Sequence, residues 1–243
     1  MDKSGIELFE VGGSIRDSLI GRRNHDKDFV AVDPEGWDHF FAWATAYMDR
    51  VFQVTPKYQT IRGLYNGEVM DVVLARKESK YSDFRHPEKC EPGTLEDDLA
   101  RRDFTMNAIA APHEDAGTPH KLIDPHKGQQ AIKDRVIECV GDTVQKMSED
   151  SLRLVRAIRF SITLGFKLDD KIKAILLYND PVMHEALESV SRERIVEELT
   201  KMFTHNTREA MLFMQEIHPK IRSKIFGDDI WLKPTLAERK LPQ

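Results

Sequence analysis

Apolar and polar positions change rhythm along this chain, and the change divides it into two parts. Ile6 to Val11 reads as a short strand, Gly12-Gly13 as a turn, and Ser14 to Ile20 as a helix that Gly21 stops. Asp28 to Val32 alternates weakly, as a second strand would, and Pro34 opens an amphipathic helix with Trp37, Phe40, Phe41, Trp43 and Ala44 on its apolar face. Val51 to Val54, Tyr58 to Leu64 and Glu68 to Leu74 read as further strands. The last two are joined through Asn66-Gly67, residues that readily take the positive φ a two-residue hairpin turn demands. From Arg76 to Gly93 the pattern lapses into charges with Pro87 and Pro92, which predicts a long loop; helical spacing returns from Leu95 to Ala111. Ile123-Asp124-Pro125 followed by Gly128 is a further turn. Beyond about Asp134 a period near 3.6 takes over, and helices are expected over Glu149 to Leu164, Asp169 to Leu177, Ser191 to Thr204 and Arg208 to Ile217. The expected fold is α+β: a mixed-sheet head over residues 1–134 with flanking helices, then an α-helical part over 135–243.

Composition narrows the class without deciding it. With 243 residues, 40% of them hydrophobic, the chain can bury a real core. No apolar run approaches the ~20 residues that span a bilayer. Met1 to Glu10 carries acidic residues where a secretory signal needs a basic start, so the expected compartment is the cytoplasm. Cys90 and Cys139, the two cysteines, lack the spacing of zinc ligands and are expected as free thiols. The net charge of -5 argues against a protein that coats nucleic acid. Its distribution is uneven: residues 1 to 120 hold 15 Lys and Arg against 22 Asp and Glu, and residues 121 to 243 hold 21 against 19. An acidic first half suits a metal-binding unit and a more basic remainder a phosphate-contacting one.

Asp26 and Asp28 stand two apart at the start of an expected strand, where alternation sends both side chains to one face and within reach of one cation. Hard carboxylate oxygens suit Mg²⁺. Asp71 becomes a third carboxylate if its strand pairs beside the first. Two aspartates read alone are more often solvated turn residues; Gly12-Gly13-Ser14 upstream changes the balance, because glycines at a strand-to-helix turn let a phosphate approach backbone N–H groups.

Several motifs in order then carry a resemblance. Val11-Gly12-Gly13-Ser14-Ile15-Arg16-Asp17 through Gly21 to Asp26-Lys27-Asp28 resembles the signature of class II tRNA nucleotidyltransferases, the CCA-adding enzymes, and of their bacterial poly(A) polymerase relatives. Asp98-Leu99 with Arg101 to Ala108 is similar to the family's ribose-selecting motif, and Ile123-Asp124-Pro125 with Gly128 to the segment closing its head. Glu149 to Arg153 with Arg156-Ala157 and Arg159-Phe160 resembles its nucleotide-template motif. Ser191 to Arg194 with Glu197-Glu198-Leu199 resembles its neck motif. Arg76, Glu78, Tyr81, Asp83, Arg85, His86 and Pro87 resemble the flexible loop of enzymes that add A after C.

The resemblance implies a nucleotidyltransferase-type head, an all-α neck and a short helical C-terminal part. It implies a Mg²⁺-dependent addition of C and A to the 3′ end of tRNA from CTP and ATP, with Asp26 and Asp28 on the metal and Asp71 completing the catalytic set. Gly12, Gly13, Ser14 and Arg16 would face the nucleotide's phosphates, and Arg102, Asp103 and Asn107 the nucleotide, with Asp103 on a ribose hydroxyl. Asp150 and Arg153, three apart on an expected helix, would read the base edge, oriented by Glu149. Arg156, Arg159, Arg192 and Arg194 have two readings: phosphate contacts, or cations lacing the helices together. A poly(A) polymerase or A-adding activity is the alternative product, and a non-catalytic RNA-binding module the alternative class. Little follows Leu199, and Trp231 to Gln243 reads as a loosely packed end, so three expectations stay open: tRNA recognition is reduced, a homodimer or a partner supplies it, or the chain is a natural minimal version of the family.

Overall fold

A computed structural model describes residues 5–23, 27–83, 86–113, 122–178, 181–227 and 230. Its elements in chain order are β1 (Glu7–Val11), α1 (Gly13–Leu19), β2 (Lys27–Val32), α2 (Trp37–Tyr47), β3 (Arg50–Thr55), β4 (Thr60–Tyr65), β5 (Glu68–Leu74), β6 (Arg76–Asp83), β7 (His86–Pro92), α3 (Leu95–Arg101) and β8 (Ala110–Pro112). They continue with α4 (Gly128–Asp134), β9 (Val136–Ile137), α5 (Thr143–Glu149), α6 (Leu152–Leu164), β10 (Lys167–Leu168), α7 (Asp170–Leu177), α8 (Pro181–Glu188), α9 (Arg192–His205), α10 (Thr207–Glu216) and α11 (Pro219–Phe226).

Six strands form one sheet in the order β3-β4-β5-β2-β1-β8. The β2–β5 pair is parallel and its neighbours are antiparallel, which makes the sheet mixed, as expected. Asn66 and Gly67 both take positive φ, at 51° and 80°, and so close the tight β4–β5 hairpin. Alternation along the strands feeds two apolar layers. On one face Phe29, Ala31, Met70, Val72 and Leu74 pack under Phe40, Trp43 and Ala44 of α2; on the other Phe9, Val11 and Val30 pack under Leu95 and Leu99 of α3. Fully buried side chains such as Phe40, Leu74 and Leu99 each contribute roughly 1.5–3 kcal/mol of burial. A third core joins Ile15, Phe104, Met106 and Ile109 to the apolar stripes of α6 and α9, so the buried interior is continuous across residue 134.

Four expectations differ from the structure. Arg76 to Gly93, expected as a loop, forms the antiparallel hairpin β6–β7, a separate two-stranded sheet. Leu95 to Ala111 is not one helix: α3 ends at Arg101, Arg102 is extended, Thr105–Asn107 make a 3₁₀ turn, and β8 joins the sheet edge. Glu149 to Leu164 is interrupted at Asp150, whose φ of -151° leaves the helical range and whose carboxylate takes the N–H of Leu152. Two-residue strands β9 and β10 pair in parallel inside the part expected to be all-α. Helices α4, α5, α8 and α11 add to those expected. Among the described residues no helix is long and apolar enough to cross a membrane. Trp231 to Gln243 lies outside the described residues.

Candidate active site

The sheet's register assembles the first part of the site. Val11 on β1 lies opposite Asp28 on β2, Asp28 opposite Asp71 on β5, and Asp71 opposite Arg62 on β4. Residues in register on neighbouring strands share a face, so these four side chains form one row across the sheet. It is the face on which Val30 packs toward α3, away from α2. Strands lie ~4.8 Å apart, which brings the carboxylates of Asp28 and Asp71 within reach of a single cation. Asp28 is exposed and Asp71 half-buried. Arg62 Nε stands 3.5 Å from Asp71 Oδ1. Asp26 lies outside the described residues.

Immediately beyond Val11 the chain turns at Gly12, whose φ of +80° and ψ of -129° favour glycine. Its N–H donates to the Ile109 carbonyl at 3.2 Å. A Cβ there would meet Arg102 Nη1 at 2.8 Å, so the absence of a side chain also lets Arg102 close over the turn. Ser14 is buried and its hydroxyl donates to the Val11 carbonyl at 3.4 Å, which binds the start of α1 to the end of β1.

A chain of charged hydrogen bonds then runs from α1 to α9. Arg16 Nη1 donates to Asn107 Oδ1 at 2.7 Å, and Asn107 Nδ2 to Asp103 Oδ1 at 3.0 Å. Arg156 Nε donates to Asp103 Oδ2 at 2.9 Å, and Arg156 also reaches Glu198 at 3.4 Å, which pairs with Arg159. Burial alone would raise the Asp103 pKa; the Arg156 charge, with hydrogen bonds from Asn107, Arg156 and the Phe104 N–H, instead holds it at about 2. Asp103 is therefore a fixed anion at neutral pH. Asp98 is fully buried within α3, paired with Arg101 and with Arg102 at 2.9 Å. Burial opposes its ionisation, but the two guanidiniums outweigh it and hold the carboxyl below the usual range. Arg16, Arg156 and Arg159 also gather round the ring of Phe160, with guanidinium carbons 4.9, 5.5 and 3.7 Å from its centre.

At the α5–α6 junction Arg153 is held by three acceptors: the Lys146 carbonyl at 2.7 Å, Glu149 at 2.8 Å and the Arg101 carbonyl at 3.1 Å. Lys146 donates to the Ala100 carbonyl at 3.0 Å and sits 3.3 Å from Glu149. The junction is thus fastened to the C-terminal end of α3. Asp150 does not share a helix face with Arg153; it leaves the helix and pairs with Arg194 of α9 at 2.7 Å. Arg192 donates to the Lys224 and Phe226 carbonyls of α11. Arg156, Arg159, Arg192 and Arg194 thus each reach an acceptor on another element.

The structure brings Gly12, Gly13, Ser14, Arg16, Arg102, Asp103 and Asn107 into one connected group, and joins Arg156 and Arg159 to it through Asp103 and Glu198. Glu149 and Arg153 form a second group, linked to the first through α3. The sequence pattern assigns no role to Lys146 or Arg62, and Glu198 enters it only as part of the neck motif. Glu198 had a signal: it lies on the stripe Ile195, Glu198, Leu199, Met202 that α9 buries, and a carboxylate on an apolar stripe needs partners.

A mixed sheet carrying a carboxylate pair beside a glycine turn, with an arginine-rich helical flank, defines the nucleotidyltransferase class of head. Residues 8–138 match the family described as the poly(A) polymerase head domain, and the chain belongs to that family. It is 39% identical over 244 residues to a CCA-adding enzyme of Bacillus cereus (strain AH187), covering 99% of this chain and 55% of that one. Its fold resembles the Bacillus stearothermophilus CCA-adding enzyme in complex with CTP, with a TM-score of 0.72 and 28% identity over 89% of this chain and 50% of the other. It also resembles a tRNA nucleotidyltransferase complexed with a primer tRNA and an incoming ATP analog, with a TM-score of 0.69 and 26% identity over 94% of this chain and 62% of the other. The chain spans about half the length of the curated relatives it matches.

Proposed function

We propose that this chain is a template-independent RNA nucleotidyltransferase that adds C and A to the 3′ end of tRNA from CTP and ATP. The observation that carries the reading is the juxtaposition of Asp28 and Asp71 in register, on one sheet face, beside the Gly12-Gly13 turn. An all-oxygen donor pair of this kind fits Mg²⁺, with Asp26 added from the sequence pattern. Bound there, Mg²⁺ would lower the pKa of the RNA 3′-hydroxyl and neutralise charge gathering on the leaving pyrophosphate.

The chain's own groups account for the rest. Glycine at position 12, whose φ of +80° favours it, keeps the strand-to-helix turn free of a side chain, which suits the approach of phosphate oxygens to the backbone. Asp103, ionised and fixed by Arg156 and Asn107, accepts a hydrogen bond from a ribose hydroxyl, the group that separates NTP from dNTP. Arg153, held by Glu149 and two carbonyls, and Asp150, held by Arg194, offer a donor and an acceptor for a base edge. Held in this way, the two groups present a fixed donor and acceptor pattern against which a base is accepted or refused.

Poly(A) addition is the second reading, favoured by the family that residues 8–138 match. Supplying CTP and ATP with a tRNA lacking its 3′ end separates the two: three added residues mark CCA addition, and an open-ended A tail marks the alternative. Asp28→Asn is expected to abolish incorporation while leaving the thermal transition in place. Near-normal incorporation in that variant would overturn the reading.

A further inference from the structure

Arg62 belongs to none of the motifs above, yet it stands in the row that holds the carboxylates. It is in register with Asp71, two strands from Asp28, on the same face of the sheet. Its side chain is 47% exposed, and the Nε···Oδ1 distance of 3.5 Å to Asp71 is longer than a hydrogen bond. A loose, half-exposed pair of this kind is screened by solvent, so the fold gains little from it. The electrostatic setting is more telling. Asp28 and Asp71 face each other directly on adjacent strands, an arrangement in which like charges repel. Arg62 supplies a counter-charge at the far end of the row, opposite the end where the Gly12 turn lies beyond Val11.

We propose that Arg62 is a phosphate-binding residue of the transfer site, resting on the nucleotidyltransferase reading. A cation held by Asp28 and Asp71 would offset the charge that Arg62 balances, leaving its guanidinium able to take a phosphate brought to the same face. A guanidinium suits this because its planar fork matches two phosphate oxygens at once. The phosphate has two sources, the polyphosphate of the incoming nucleotide and the terminal phosphodiester of the RNA, and both meet at this face in the reaction proposed.

Binding of CTP without RNA, and of a tRNA lacking its 3′ CCA without nucleotide, is measured at equilibrium for wild type, R62Q and R62K over a range of salt concentrations. R62Q is expected to weaken one ligand about tenfold, with the salt dependence of RNA binding reduced by about one charge if RNA is the partner. R62K should recover part of the loss, because lysine keeps the charge without the fork. Loss confined to CTP assigns the triphosphate, and loss confined to RNA assigns the phosphodiester. Unchanged affinity for both ligands in R62Q would overturn the proposal, as would an equal loss of both accompanied by a large fall in thermal stability. If the wild type bound neither CTP nor RNA, the reading of the whole site would fall and this inference with it. Wild-type binding with an indifferent R62Q removes Arg62 alone.

Discussion

Replacing Asp103 with asparagine isolates the ion at the centre of the site. The side chain is almost enclosed, 11% exposed, so solvent does little to screen its pairing with Arg156. Its pKa falls from the ordinary 3.8 to about 2 on folding. At ~1.4 kcal/mol for every tenfold change in acidity, that is on the order of 2–3 kcal/mol of stability. Because the folded-state pKa is depressed, the contribution is complete above about pH 4 and is lost as pH falls from about 4 to about 2. Asp103→Asn removes the titrating group and leaves Arg156 with Glu198 at 3.4 Å as its remaining carboxylate partner. Thermal unfolding followed by circular dichroism should place the variant roughly 5–10 °C below wild type at pH 7, at ~2–4 °C per kcal/mol for a chain of this size. The gap should close as pH is lowered from 4 toward 2, since wild type then loses what the variant already lacks. A gap that stays constant through that window, or one below about 1 kcal/mol at pH 7, would refute the assignment of Asp103 as a buried, fixed anion.

Two further outcomes follow from local geometry. Gly12→Ala places a Cβ 2.8 Å from Arg102 Nη1 at a φ of +80°, so Arg102 must move; a cost of about 1–2 kcal/mol and a rise in the CTP dissociation constant are expected, checked by thermal unfolding and equilibrium binding. Burial pushes the Cys139 thiol up to about 12, with Asp169 and Asp103 nearby adding to the effect. Cys139 should therefore resist alkylation at pH 8 in the native protein and react after unfolding, read peptide by peptide by mass spectrometry.

Local signals made much of the head legible. The glycine turn between a strand and a helix and the Asn66-Gly67 hairpin rest on interactions within a few residues and formed where expected; the second helix starts at Trp37 rather than at Pro34, and it buries Phe40, Trp43 and Ala44 while leaving Phe41 exposed. The failures share a cause, because distant partners decided them. Leu95 to Ala111 has helical spacing, but Asp103 takes the N–H of Phe104 and Phe104 bridges to Cys139, thirty-five positions on, which stops α3. Asp150 looks like a helical residue until Arg194, on another helix, supplies its counter-charge. The β6–β7 ribbon pairs backbone to backbone in a sheet of its own, so RKESKYSD and HPEKCEP show none of the alternation that a strand in the main sheet requires. At the site, the row of Asp28, Asp71 and Arg62 depended on register, which alternation within one strand does not specify; Asp71 was anticipated only conditionally and Arg62 not at all.

The third core has a further bearing on how such a protein comes apart. Ile15, Phe104, Met106 and Ile109 hold the glycine turn and the Asp103 segment in place, and the surface they rest on is made by α6 and α9. Heat or denaturant that loosens those helices therefore strips the support from the glycine turn and the Asp103 segment at the same moment. Loss of nucleotide affinity and loss of helical signal should travel along one curve, with no stage at which a competent head outlives its neck.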